Sequence, residues 1–169
     1  ADAFLSNHTI VETKNREGIR DQFPADLNTL YDGPLVTLVN GGTASASEIL
    51  AGALQDNQRS QLIGSRTFGK GLIQSLSTLS DGSGLAVTVA SYLTPNGRDI
   101  QNQGIEPDRL LEMPEPINPG SAEDRWLQDA ELLIGATLDR KTLEESKKEE
   151  SVFTPINPEK DTESLVIVQ

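Results

Sequence analysis

The most constraining feature of the chain is the run PLVTLVNGGTASASEILAGAL, residues 34–54. Its first half is β-branched and apolar at nearly every position, the pattern of a strand covered on both faces, as in a parallel sheet. Two glycines and a cluster of small hydroxylated residues follow. From Ser45 the period changes, with Ile49, Leu50, Ala53 and Leu54 recurring at helical spacing. A covered strand that turns directly into an amphipathic helix calls for α/β architecture. The neighbouring segments agree. HTIVETKN, QLIG, GLIQSLSTL and GLAVTVASYL read as strands, the last two joined by an SDGSG turn, and TPNGRD reads as another turn. EMPEPINPG is a proline-rich connector. Ser121 with Asp124 is expected to open a second helix, whose stripe is Trp126, Leu127, Ala130, Leu133, Ile134 and Leu138. Beyond it, DRKTLEESKKEES reads as a solvated, mobile linker, and SLVIVQ as a strand or docking tail.

Composition narrows the function classes. The 169 residues are 36% apolar, which suits a globular domain with a real core. The net charge of −12 makes duplex nucleic acid and anionic membrane poor partners. There is no cysteine, so thiolate and disulfide chemistry are excluded while the redox compartment stays open. No apolar run approaches a membrane span. One histidine and no spaced carboxylate loop leave no metal-ligand pattern. Ala1 shows neither an initiator methionine nor a signal sequence, and the chain reads as a mature or truncated piece.

Ser45 admits two readings that coexist. Ser45-Ala46-Ser47-Glu48 is a capping box, in which the hydroxyl and the Glu48 carboxylate satisfy each other's backbone amides. A serine at a helix N-terminus also lies beside unpaired amides and the positive end of the dipole, which suits a developing oxyanion. The small neighbours Gly41, Gly42, Ala44 and Ala46 would let a peptide approach. Two residues are candidates for its base. His8 is the only histidine and lies near the start of the chain. Lys70 stands between Gly69 and Gly71 before an apolar strand, where its side chain could turn inward, and withdrawal from water favours a neutral amine. GSRTFGK also mimics a phosphate loop, but Gly71 replaces the magnesium-binding hydroxyl and a strand follows where a helix is needed.

The stretch from Pro34 to Asp108 resembles the C-terminal processing peptidases, or tail-specific proteases. SASE, AGALQD, GxxTFGKGxxQ, YxTPxG and GIxPD recur in order and at family spacing. The opening ADAFL and the WLQDAELL helix are compatible. The resemblance implies a serine endopeptidase with a crotonase-like α/β core, cutting near the C-termini of protein substrates. Ser45 matches the nucleophile, Lys70 the general base and Gln74 the residue that orients the lysine. The Ala46 amide would be one oxyanion donor, with Asp56 and Glu48 as structural support. Residues 1–110 would be the C-terminal part of the catalytic core. Residues 111–169 would be connector, helix and charged tail packing back on it. The resemblance implies no cofactor, peptide or protein tails as partners, and a periplasmic or thylakoid-lumenal location; oligomeric state stays open. The SLSDGSGLAVTVASYLTPNGRDI segment leans toward photosynthetic lineages, where the substrate can be a reaction-centre precursor. Thr43 stands where many members carry serine. The family's upstream PDZ domain and second oxyanion loop are not in this chain, so the competing expectation is a non-catalytic scaffold or peptide-binding fragment. A straight strand would hold Lys70 and Gln74 ~13 Å apart at ~3.3 Å per residue, so their contact requires a bend, with Gly69 and Gly71 as candidates.

Overall fold

A computed structural model describes residues 1–18, 20–111 and 118–152. They form two compact units, Ala1–Ile134 and a second beginning at Gly135. The first is mixed α/β. A short 3-10 helix, Asp2–Phe4, leads to β1 (Thr9–Asn15), β2 (Arg20–Pro24) and β3 (Val36–Val39). The helix α1 (Ala46–Asp56) is followed by β4 (Gln61–Gly64), β5 (Leu72–Thr78), β6 (Gly84–Leu93) and β7 (Arg109–Leu110), and then by α2 (Arg125–Val152).

The strands divide into two sheets. One is antiparallel in the order β2-β1-β6-β5, the other ordered β3-β4-β7. The expectation of a parallel strand holds: β3 pairs in parallel with β4, and β4 with β7. The β3–β4 connection is α1, as a parallel pair demands. Alternation along β3 and β4 splits the core. Val39 and Leu62 pack with Ala51 of α1 and with Ile100 and Ile105. Val36 and Ile63 face Trp126, Ala130 and Leu133 at the start of α2, together with Leu111. Another stripe of α1, Leu50, Ala53 and Leu54, packs on Leu5, Ile10, Ala25 and Leu35. Alanine-rich α1 thus has helix propensity along its length and apolar residues toward both sheets. Truncating a buried residue such as Leu54 to alanine would cost roughly 2–5 kcal/mol.

Several boundaries differ from expectation. The second helix starts at Arg125, after a Ser121–Asp124 turn. Asp124 is its cap, its carboxylate accepting from the amides of Leu127 at 3.0 Å and Gly120 at 2.8 Å. These amides, Gly120 first, hold that carboxyl below the ordinary aspartate range. The charged continuation is helical through Val152 rather than a linker. Its Lys, Glu, Leu and Arg are strong helix formers, and propensity outweighs the lack of an apolar face. Within the stripe, Leu138 is exposed. β2 and β7 were not anticipated. Most of the proline-rich connector and the SLVIVQ end lie outside the described residues.

Candidate active site

The Val39–Ser45 segment leaves the C-terminal end of β3 as a tight loop. The Asn40 amide donates to Thr43 Oγ1 at 3.0 Å, the Gly42 amide to Asn40 Oδ1 at 2.9 Å, and the Thr43 amide to the Asn40 carbonyl at 2.9 Å. These self-contained bonds deliver Ser45 to the start of α1 with φ 57° and ψ −117°. An ordinary cap residue is extended. A positive φ in a serine costs on the order of 1–3 kcal/mol and persists only where the surroundings enforce it. Ser45 is therefore more than a cap in its backbone geometry, and its side chain is half-buried.

The enforcing group is Glu48, fully buried at the third position of α1. Its Oε2 accepts the Ser45 amide at 3.0 Å, the expected reciprocal bond of a capping box. The same oxygen accepts the Lys70 amide at 2.8 Å. Its Oε1 takes the Gly69 amide at 2.7 Å and the Thr67 hydroxyl at 2.5 Å. One carboxylate thus ties the helix start to the loop after β4. The Ser45 and Lys70 amide nitrogens, both bonded to one atom, lie within about 6 Å of each other. A further strut joins the Phe68 amide to the Thr43 carbonyl at 3.0 Å.

The loop carrying Lys70 is clamped from its other side. Thr67 exchanges bonds with Ile105, amide to carbonyl at 3.1 Å and Ile105 amide to Thr67 Oγ1 at 2.7 Å. Gly69 has φ +89°, and a Cβ there would stand 2.8 Å from the Gly104 nitrogen; one on Gly71 would stand 2.8 Å from that of Gln101. The close passage of residues 100–104 therefore explains both glycines. It fixes the backbone of Lys70, yet the lysine side chain is exposed, contrary to the inward orientation expected from its glycine neighbours. No hydrogen bond joins it to Ser45 or Gln74 among the described residues.

Gln74 lies on exposed β5, opposite Thr88. Between Lys70 and Gln74, β5 begins only at Leu72 and its register shifts between Ile73 and Gln74, and no hydrogen bond joins the two side chains among the described residues. Ala46 offers the open amide expected of a helix start. The amides of Ser47, Glu48 and Ile49 reach the carbonyls of Ala44, Ser45 and Ser45, whereas no acceptor meets that of Ala46 among the described residues. Asp56 closes the opposite end of the helix, ~16 Å from Ser45 along the axis. Its buried carboxylate accepts from the Asn96 amide at 2.8 Å and pairs with Arg98. His8 is exposed, its Nδ1 bound to the Ser6 carbonyl at 2.6 Å, and no salt bridge joins it to an acidic side chain among the described residues. Among the described residues no group of acidic or histidine side chains is arranged to hold a metal, and no helix is long and apolar enough to cross a membrane.

Reading Glu48 as a local cap misses most of its bonds. The signal for the rest was the TFGKG motif itself, whose threonine, glycine and lysine supply the distant donors.

The structure thus places a strained serine where a tight small-residue loop enters a helix, and ties it through Glu48 to the backbone of a glycine-flanked lysine. Residues 1–111 match the model of peptidase family S41, and the chain belongs to that family. It is 60% identical over 114 residues to a carboxyl-terminal-processing protease of Synechocystis sp., a match covering 68% of this chain and 27% of that protein. It is 57% identical over 104 residues to a chloroplastic C-terminal processing peptidase of Tetradesmus obliquus, covering 61% and 22%. The structure of a photosystem II D1 C-terminal processing protease superposes with a TM-score of 0.62 at 53% identity, covering 66% of this chain and 29% of that one. The chain thus spans under a third of the length of these relatives.

Proposed function

We propose that this chain carries the nucleophile and base of a serine endopeptidase that cuts near the C-termini of protein substrates. The observation that carries the reading is the convergence of the Ser45 and Lys70 amides on one oxygen of Glu48. Lys70, as a neutral amine, takes the Ser45 proton while Oγ attacks the scissile carbonyl. The Ala46 N–H, open at the helix start, faces the charge that develops on the carbonyl oxygen. An acyl-enzyme forms as protonated Lys70 delivers its proton to the leaving amine. Water, activated by the same amine, then releases the new C-terminus. Gln74 orients the lysine, and Asp56 and Glu48 hold the frame. Because Lys70 is exposed, excluding water from the pair falls to the substrate laid over it.

The crotonase-like core is part of this proposal, and so is a thylakoid-lumenal or periplasmic setting, for which the cyanobacterial and chloroplastic relatives are the support. The D1 processing protease among them points to a reaction-centre precursor tail as a substrate. Fluorophosphonate labelling tests the site. This chain, and one extended upstream to the length of the relatives, are treated and the modified residue is mapped. Modification of Ser45 in either supports a protease site, with labelling confined to the longer chain locating the remaining machinery upstream. Modification of neither makes the chain a scaffold or peptide-binding piece.

A further inference from the structure

The chain contains two Asn-Gly pairs, Asn40–Gly41 in the loop that delivers Ser45 and Asn96–Gly97 in the turn after β6. Asparagine followed by glycine is a reactive pair, because a glycine has no side chain to keep its backbone nitrogen from the asparagine Cγ. The two pairs share that chemistry and differ in how the fold holds it.

At Asn96–Gly97 the attacking nitrogen is occupied. The Gly97 amide donates to the Thr94 carbonyl at 2.7 Å and the Asn96 amide to the Asp56 carboxylate at 2.8 Å, so the turn is pinned at both residues. At Asn40–Gly41 the reverse holds. Gly41 is exposed, and its amide meets no acceptor among the described residues. The Gly42 amide donates to Asn40 Oδ1 at 2.9 Å, which folds the side chain back along the Gly41 peptide, toward the nitrogen that would attack it. The same donor faces the oxygen on which charge develops when Cγ is attacked, as the donors of an oxyanion hole do. Nucleophile, electrophile and charge stabiliser thus sit in three consecutive residues.

We propose that Asn40–Gly41 is a site of spontaneous deamidation and isomerisation, which alters the loop that carries Ser45. The Gly41 nitrogen bonds to Asn40 Cγ, the Cγ–Nδ2 bond breaks, and Nδ2 leaves as ammonia with the Gly41 proton. Water opens the resulting succinimide at Cγ to give aspartate, or at the main-chain carbon to give isoaspartate. Each product adds a negative charge beside the candidate nucleophile, where it opposes a developing oxyanion. The isoaspartyl product does more. Asn40 takes part in all three bonds of the loop, through its amide to Thr43 Oγ1, its carbonyl from the Thr43 amide and its Oδ1 from the Gly42 amide. With the chain rerouted through Cγ, that carbonyl becomes a free carboxylate and the loop gains a backbone atom. The strained backbone of Ser45 then loses its support on the β3 side.

The site stands without the protease reading, because mass alone reports it; only its effect on the nucleophile rests on that reading. The folded chain is aged at neutral pH and its peptides are mapped for the gain of one mass unit, with isoaspartate confirmed by enzymatic methyl transfer. Asn40 is expected to convert at least tenfold faster than Asn96. In urea the two rates should converge, since both asparagines precede glycine. Asn96 converting as fast as Asn40 in the folded chain, or a tenfold gap that persists in urea, overturns the site. Chains with isoaspartate at position 40 should react with fluorophosphonate at Ser45 at least tenfold more slowly than unaged chains. Asn40→Asp, which adds the charge without the backbone atom, should slow the reaction less. Isoaspartyl chains that label as fast as unaged ones overturn the link to Ser45. Conversion of Asn40 without Ser45 labelling in either chain length keeps the site and discards the protease; labelling with an unconverted Asn40 does the reverse.

Discussion

The loop after β4 and the β5–β6 hairpin are separated by Gly71 alone, yet they are held by different physics. Residues 67–70 are fixed by a buried carboxylate, by Ile105, by Thr43 and by a glycine-to-backbone approach, so all four of their backbone amides have a partner outside the segment. Beyond residues 90–93, where β6 pairs with β1, the hairpin is held by its own ladder and by Asp81, which accepts the Ser83 hydroxyl and amide at 2.6 and 2.9 Å in the turn. Its apolar residues Leu76, Leu85, Val87 and Val89 are 45–79% exposed. Tertiary bonds specify position, whereas a ladder specifies only register. Ser45 and the backbone of Lys70 belong to the first regime, Gln74 to the second.

This contrast sets the order of expected effects. In the form that cleaves substrate, Lys70→Ala should lower kcat/KM by at least about 10³-fold, as expected for a base that works as a unit with its nucleophile. Gln74→Ala should cost less, and His8→Ala should leave cleavage within twofold. A dead His8 variant beside an active Lys70 variant would place the base elsewhere. In stability, Glu48→Ala strands the amides of Ser45, Gly69 and Lys70 and the Thr67 hydroxyl, and should cost roughly 3–5 kcal/mol by denaturant melting. Gly69→Ala meets both the positive φ and the Gly104 backbone, for about 2–3 kcal/mol. Asp56→Ala leaves the Asn96 amide and Arg98 without their partner, for about 1–3 kcal/mol. Val87→Thr on the hairpin should stay within about 0.5 kcal/mol. A larger loss there would mean that the hairpin is covered and would dissolve the contrast.

Legibility followed the same division. β3, α1 and β4 could be read because their apolar periods are produced by burial against both sheets, and burial is what periodicity records. The β5–β6 hairpin could be read from β-branched residues and turn chemistry although little of it is buried. β2 is exposed throughout and ends on Pro24, so it left no alternating signal, and the two residues of β7 are too few to carry one. The helical run beyond Leu138 was obscured by its charge, which signals solvation and not conformation. Ser45 and Lys70 stood out by motif. Their common attachment did not, since local capping accounts for Glu48 completely and its other partners come from a distant loop. The exposure of the Lys70 side chain was equally hidden, because glycines on both sides fix a backbone path without aiming the side chain between them.

The central claim, that one buried carboxylate fixes the backbones of both candidate catalytic residues while the amide between helix and nucleophile stays open, is tested most directly by amide hydrogen exchange read by NMR. The Ser45, Gly69 and Lys70 amides should exchange orders of magnitude more slowly than that of Ala46, and the protection should fall together in Glu48→Gln. Ser45 and Lys70 amides exchanging as fast as Ala46, or an Ala46 amide as protected as theirs, would contradict it.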